Sequence, residues 1–334
     1  MRARFWREGF AFALVAGLGF AACASASKSA SVKDVKNVKN PPSASLGEPP
    51  RRKALPVVPP KSAMNVEQAR RYVLALVNRD RAEHGLSQVV MDEAANRAGQ
   101  RHAEDMAREG YTAHWGSDGS VPEQRYSDAG GTDFVQENAG CLADGQQRKL
   151  DGAPRFEAAQ LERVERAFMD EKPPHDGHRR NILKPRHTSF GVGVAKPSGV
   201  DLACLSQEFV DDYGDYDALP KASQAGAMLH VEGDVKGPVV FGGVGIGRID
   251  LEQPLTASYL NTTYTYAVPS PTDLYFPKGF VTKKEVVVSG KHFRIDVPLG
   301  KAGQSGRYEV SIWGKFPGAG EQLEMISLRV VKGK

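Results

Sequence analysis

The sequence has few cysteines, no apolar run near its N-terminus that could cross a bilayer, and no strong excess of charge of either sign. Only three cysteines occur in 334 residues, so at most one intramolecular disulfide can form. The apolar run of residues 10–22 is shorter than the ~20 residues that a membrane-spanning helix needs. A formal net charge of +4 does not indicate nucleic acid as a partner. What remains is a chain of globular composition, long enough for about two domains.

The N-terminus has the pattern of an export signal. Three arginines precede the apolar run: Arg2, Arg4 and Arg7. The run ends in "FAAC", which resembles a bacterial lipobox although Phe20 stands where leucine is usual. We therefore predict a signal peptide over residues 1–23, a lipid on Cys23 and attachment to a membrane of the bacterial cell envelope. The alternative is ordinary cleavage among the small residues "ACASAS", which would give a secreted protein.

The other two cysteines can be interpreted together. If Cys23 is lipidated, Cys141 and Cys204 remain as an even pair in an oxidising compartment. Such a pair favours a disulfide, and two free buried thiols are the alternative.

Two regions follow the signal. Residues 24–63 are rich in Ser, Lys, Pro and Val without periodicity, which predicts a disordered tether. Residues 64–212 contain three helical patterns and then two strand patterns, "SFGVGVAK" and "VDLACLSQEFV", joined by a turn. Helices followed by an antiparallel hairpin predict an α+β domain.

Helix signals support this prediction. Asn65 and Gln68 are spaced as a capping box before the first apolar stripe, and Asp92 is the expected cap of the second helix. Alanine and glycine dominate the inward stripe of the second helix, which implies a close approach of its neighbours. The third helix is predicted over residues 156–171, and its apolar stripe ends on Glu171. A buried carboxylate there needs a partner or a wet cavity.

The C-terminal part is expected to be all β. Residues 213–226 resemble a linker, and residues 227–334 hold seven short strand-like segments, which predicts a β-sandwich. "LTASYLNTTYTYAV" is one of these segments. The run "GGVGIG" lacks the following helix and the Lys-Ser/Thr ending of a phosphate-binding loop, so we interpret it as a turn.

Two acids and two histidines stand out within residues 114–178: His114, Glu137, Glu171 and His178. Folding can bring them together, and they would then offer a divalent metal two imidazoles with carboxylates as direct or outer partners. The same set suits acid–base chemistry. No serine or cysteine nucleophile sits beside these histidines in a recognisable motif. A local site in the "HDGH" loop, using His175, is the competing hypothesis.

Several stretches of the sequence resemble the CAP superfamily, also called SCP. This superfamily comprises cysteine-rich secretory proteins, antigen 5 and pathogenesis-related proteins. The stretches are "VNRDRAEHGL", "MDEAANRAGQRHAEDMAREGYTAHWGSDG", "ENAG" and "GHRRNILKPRHTSFGVGVA". The bacterial branch is the most similar. The resemblance implies an α-β-α sandwich whose central cleft holds two His and two Glu.

The matching positions imply roles for individual residues. His114 and His178 match the two histidines of the family's cleft, and Glu137 and Glu171 match its two glutamates. Arg125 matches an arginine that is common in the bacterial branch, and it is expected either to pair with the cleft acids or to cap a surface.

Family membership does not fix an activity. We expect a binding module rather than an enzyme, with zinc or another divalent metal, or a small or lipidic ligand, in the cleft. One alternative is a metal-assisted hydrolase or protease. The other is that the C-terminal sandwich binds a cell-surface protein or glycan, with the CAP domain as its scaffold.

Overall fold

The computed structural model describes residues 56–250, 253–263, 265–320 and 322–334. The predicted signal peptide, Cys23 and most of the predicted tether lie outside these ranges. The described residues belong to one compact unit. Among them, no helix combines the length and the apolar character that a membrane crossing requires.

The first part of the chain is a four-stranded sheet between helices. Its strands pair in the order β1-β3-β4-β2, with β3 and β4 antiparallel, β2 antiparallel to β4, and β1 parallel to β3. The elements are α1 Val66–Glu83, β1 Val90–Met91, α2 Glu93–Glu109, α3 Pro122–Asp128, β2 Phe134–Gly140, α4 Ala158–Met169, α5 Gly177–Ile182, β3 Ser189–Ala195 and β4 Cys204–Asp211.

The helix ends follow the signals in the sequence. Asn65 Oδ1 accepts from the Gln68 N–H at 2.9 Å, and Gln68 Oε1 accepts from the Asn65 N–H at 3.0 Å, which completes the predicted capping box. Asp92 Oδ1 caps α2 by accepting from the Ala95 N–H at 2.7 Å. Gly110 ends α2 with φ +72°, a left-handed conformation that glycine adopts without strain.

Small residues let α2 lie directly on the sheet. A Cβ on Gly193 would meet the Gly99 carbonyl oxygen at 2.0 Å, and one on Gly191 would meet the backbone of Ala95 at 2.3 Å. The alternating Phe190, Val192 and Val194 pack on the other face, in the core formed with α1 and α4. The domain therefore has the three α-β-α layers that the resemblance implied.

The second part is a β-sandwich. One sheet has the order β10-β11-β7-β5 and the other β6-β13-β12-β8-β9, and their buried side chains share one apolar core. The elements are β5 Gly214–Tyr216, β6 Ala222–Ser223, β7 Met228–Val235, β8 Val240–Ile249, α6 Ala257–Leu260, β9 Asp273–Tyr275, β10 Val287–Ser289, β11 His292–Pro298, β12 Gly306–Lys315 and β13 Leu323–Gly333.

Two predictions for this part were wrong. The "GGVGIG" run is strand β8 and not a turn: a Cβ on Gly245 would come within 2.5 Å of Ser311 Oγ, so glycine is needed for close packing. The segment predicted as a strand from Leu255 onward contains helix α6. Thr256 Oγ1 caps this helix by accepting from the Tyr259 N–H at 3.3 Å.

The segment predicted as a linker contributes strands to both sheets. Strand β5 pairs with β7, and β6 pairs in parallel with β13. Beyond this segment, β13 contacts the first domain: the Ser327 hydroxyl donates to the Thr132 carbonyl oxygen at 2.5 Å, and the Val330 N–H donates to Ser127 Oγ at 3.2 Å. The two parts are thus joined next to α3, which carries Arg125.

Candidate functional site

Glu137 is the centre of a buried charged cluster. It lies on β2, one of the two edge strands of the first sheet, and its side chain is fully buried. His114 Nδ1 lies 2.9 Å from Oε1 of this carboxylate. Arg125 donates to Oε2 at 2.6 Å, and the Ser206 hydroxyl donates to the same oxygen at 3.0 Å. The structure therefore brings together three of the residues singled out in the sequence.

Arg125 fixes the position of the His114 backbone as well as the charge of Glu137. Its guanidinium donates to the carbonyl oxygens of Ser120 and His114, each at 3.0 Å. Helix α3 supplies this arginine, whose side chain is 1% exposed. Arg125 is thus a buried ion-pair partner and not a cap on the surface.

The pKa shifts of Glu137, Glu208 and His102 determine which of these three buried groups carry a charge. Burial raises the pKa of Glu137, but the charge of Arg125, helped by the hydrogen bond with His114, lowers this pKa well below its ordinary value. Burial, and then repulsion by Glu137, raise the pKa of Glu208 well above its ordinary value. Burial and the charge of Arg125 lower the pKa of His102 to about 4. At neutral pH, Glu137 is therefore ionised while Glu208 is protonated and His102 is neutral.

Glu171 and His178 form a second, more exposed pair. His178 Nδ1 lies 2.5 Å from Glu171 Oε1. The backbone N–H groups of His178 and Arg179 donate to Oε2 at 2.9 and 3.4 Å. Burial raises the pKa of Glu171, but the hydrogen bond and charge of His178 outweigh it, so the net shift is downward. The Phe168 ring lies 4.5 Å from the His178 imidazole and limits its rotation.

The residues of the "RNIL" stretch, which follows His178, attach this part of the chain to the sheet. Asn181 Nδ2 donates to Asn138 Oδ1 at 3.0 Å, and Asn138 Nδ2 donates to the His178 carbonyl oxygen at 3.2 Å. His187 Nε2 contacts Asn181 Oδ1 at 3.0 Å, and Ile182 is fully buried. Arg81, also fully buried, donates to the Ile182 carbonyl oxygen at 2.7 Å. The segment is therefore positioned by long-range polar contacts.

Both His–Glu pairs adjoin β2, an edge strand of the sheet. Glu137 and Asn138 are consecutive on β2, so their side chains leave the strand on opposite faces. Glu137 contacts the His114 imidazole and Asn138 contacts the His178 carbonyl oxygen, so a ligand shared by the two imidazoles would lie at the edge of this strand. The exposed His175 is joined through its backbone to Lys172.

Sequence reasoning missed several partners of the two pairs. Ser206, Glu208 and His102 adjoin Glu137, and Asn138 and Asn181 adjoin His178. The alternation of Ser206 and Glu208 on a predicted strand was the one available signal, because it placed both on the same face.

The donor chemistry at both histidines fits a metal. In each pair Nδ1 contacts a carboxylate, which favours the tautomer with hydrogen on Nδ1 and a lone pair on Nε2. Carboxylates that orient imidazoles in this way are typical outer partners at metal sites. Within the described ranges, no three His, Cys, Asp or Glu side chains are grouped as a metal site. Two imidazoles would therefore need water or ligand atoms to complete the coordination of a metal.

The match to a family decides the identity of this part of the chain. Residues 74–209 match the CAP family, described as the cysteine-rich secretory protein family. This region is a CAP domain. It contains both His–Glu pairs, Arg125 and the disulfide between Cys141 and Cys204, whose Cα atoms are 4.3 Å apart. The predicted disulfide is therefore confirmed.

Other comparisons add little to the CAP match. No curated protein matches the chain. Among solved structures, the chain is similar to an extracellular protein containing an SCP domain from Bacillus anthracis str. Ames, at 19% identity with a TM-score of 0.34. The match covers 44% of this chain and 41% of that chain, so it spans less than half of each.

Proposed function

We propose that the protein is an exported, envelope-anchored binding module whose CAP domain takes a divalent metal, with zinc as the leading candidate, at His114 and His178. The observation that carries the proposal is the placement of Nδ1 of both imidazoles on glutamate oxygens, which leaves both Nε2 atoms as donors. A bound metal would supply a Lewis-acidic point that recognises an anionic or carbonyl group of a partner.

The buried ion pair of Arg125 and Glu137 beside His114 favours a metal or a small polar ligand over a lipidic one. Two cavities of about 270 and 350 Å³ occur in the described part of the CAP domain, and neither is lined by His114 or His178. Apolar ligands usually bind in pockets lined mainly by apolar and aromatic side chains. Charged residues dominate both linings here, among them Arg101, Glu104, Asp105, Arg108, Arg79 and Glu83.

The contacts of the two glutamates favour binding over hydrolysis. A metal-assisted hydrolase needs a base that can take a proton from water. Glu137 is enclosed by Arg125, His114 and Ser206, and Glu171 accepts from His178 and from backbone N–H groups. Both carboxylates thus act as orienting groups for the imidazoles.

Calorimetric zinc titration of single variants tests the proposal. His114→Ala and His178→Ala should each abolish most zinc binding, because one remaining imidazole cannot hold the ion alone. The matched control is His175→Ala, which should bind zinc nearly as the wild type does. Loss of binding in His175→Ala alone would support the local loop site instead, and undiminished binding in all three variants would refute the metal proposal.

A further inference from the structure

A segment of the β-sandwich reaches over the CAP domain. It connects β8 to β9 and contains α6. Leu260, the last residue of α6, is fully buried among Met106, Tyr111 and Ala139 of the CAP domain. Burial of Leu260 in this apolar cluster therefore docks the segment on the CAP domain.

Hydrogen bonds attach this segment on both sides of His114. On one side, Asn261 Oδ1 accepts from the Thr112 N–H at 3.1 Å, and Asn261 Nδ2 donates to the Gly110 carbonyl oxygen at 3.2 Å. On the other side, the Leu255 N–H donates to the Ser117 carbonyl oxygen at 2.8 Å. The stretch that carries His114 is therefore held at both ends by the C-terminal part.

Tyr266 places an aromatic ring beside His114. The centroids of the two rings are 6.5 Å apart, and the Tyr266 ring packs edge-on against Trp115 at 5.1 Å. The Tyr266 hydroxyl donates to Glu123 on α3, the helix that also supplies Arg125. The contacts with Trp115 and Glu123 fix the Tyr266 ring in its position beside the His114 imidazole. The His114 side chain is only 21% exposed.

We infer that Tyr266 is an access-limiting wall of the CAP site, contributed by the β-sandwich. It restricts the approach of solutes to the His114 imidazole, whereas the His178 imidazole packs on Phe168 and its side chain is 30% exposed. This inference rests on the proposed function for its biological meaning. The geometry and its test do not depend on metal binding.

The rate at which diethyl pyrocarbonate acylates each histidine of the full chain tests this inference. Mass spectrometry of peptides reports His114 and His178 separately. When a site reacts only in an open state, its apparent rate falls with the population of that state, so Tyr266→Ala should raise the His114 rate by about threefold or more. Tyr266→Phe keeps the ring and should stay closer to wild type. The control is Tyr259→Ala, since Tyr259 is exposed and lies on the same segment.

Two results would overturn the inference. One is an unchanged His114 rate in Tyr266→Ala, and the other is an equal rise at His178, which would indicate general loosening. Should Tyr266→Ala fail to fold, Tyr266→Leu is judged by the same criteria, since leucine keeps the burial and removes the ring. If the protein binds no zinc but the histidines show the expected acylation rates, the proposed function is refuted and the inference about Tyr266 stands.

Discussion

Replacing Arg125 and replacing Glu137 should have unequal effects, although the two residues form one buried ion pair. Arg125→Met leaves the Glu137 carboxylate buried without its cation, and breaking a buried pair in this way costs about 3–5 kcal/mol. The same change also removes the donor to the carbonyl oxygens of Ser120 and His114. We therefore expect a loss of unfolding free energy near the upper end of this range.

Glu137→Gln should cost less, about 1–2 kcal/mol, because a substitute anion is available. Glu208 lies close enough to Arg125 to raise the pKa of the guanidinium, and repulsion by Glu137 helps to keep Glu208 protonated. When the charge of Glu137 is removed, Glu208 can ionise and compensate Arg125. The double variant Glu137→Gln/Glu208→Gln lacks this compensation and should again cost about 3–5 kcal/mol.

Urea unfolding at pH 7, followed by tryptophan fluorescence with the disulfide intact, measures these differences. The reasoning is refuted if Glu137→Gln destabilises the protein as much as Arg125→Met. It is also refuted if Glu208→Gln adds no cost in the Glu137→Gln background, because Glu208 would then not be the substitute anion.

Three further predictions concern the disulfide, a buried acid and the N-terminus. Cys141 and Cys204 are 63 positions apart, so Cys141→Ala/Cys204→Ala should lower the free energy of unfolding by about 4 kcal/mol; an unchanged urea midpoint would contradict this. Burial, and then the charge of Asp80, raise the pKa of Glu165 to about 8, so its contribution to stability is complete below its unfolded pKa and is lost as the pH rises towards 8. Glu165→Gln should therefore remove a decline of at most about 1.4 kcal/mol per pH unit between pH 5 and 8, and parallel stability profiles of variant and wild type would refute this. Finally, the wild type should partition into detergent and Cys23→Ser should stay aqueous; two fully aqueous proteins would exclude the lipid anchor.

Local signals predicted the parts of the fold that depend on local physics. The caps at Asn65 and Asp92 and the αL glycine at Gly110 need only neighbours along the chain. The alanine and glycine stripe of α2 predicted close packing, and Gly99 meets Gly193 of β3. These features could be predicted because their energies come from spacing within one helix.

Features set by distant contacts were not predictable in this way. Threonine and tyrosine suggested a strand in "LTASYLNTTYTYAV", but Ala257–Leu260 form helix α6, and Leu260 is buried against the CAP domain. The partners of the two histidines are also set by contacts between residues that are distant in the sequence. Their pairing with Glu137 and Glu171 came from resemblance, whereas Asn138 and Ser206 were missed because strand pairing brings them to the site.

Anomalous diffraction at the zinc edge, from crystals of the full chain grown with zinc, tests whether His114 and His178 bind one metal ion. We expect an anomalous peak ~2.0–2.1 Å from Nε2 of both His114 and His178, with Glu137 and Glu171 still on Nδ1. A peak instead at the exposed cluster of His230, Glu232 and His292 on the β-sandwich would contradict it. So would a crystal in which zinc contacts neither His114 nor His178.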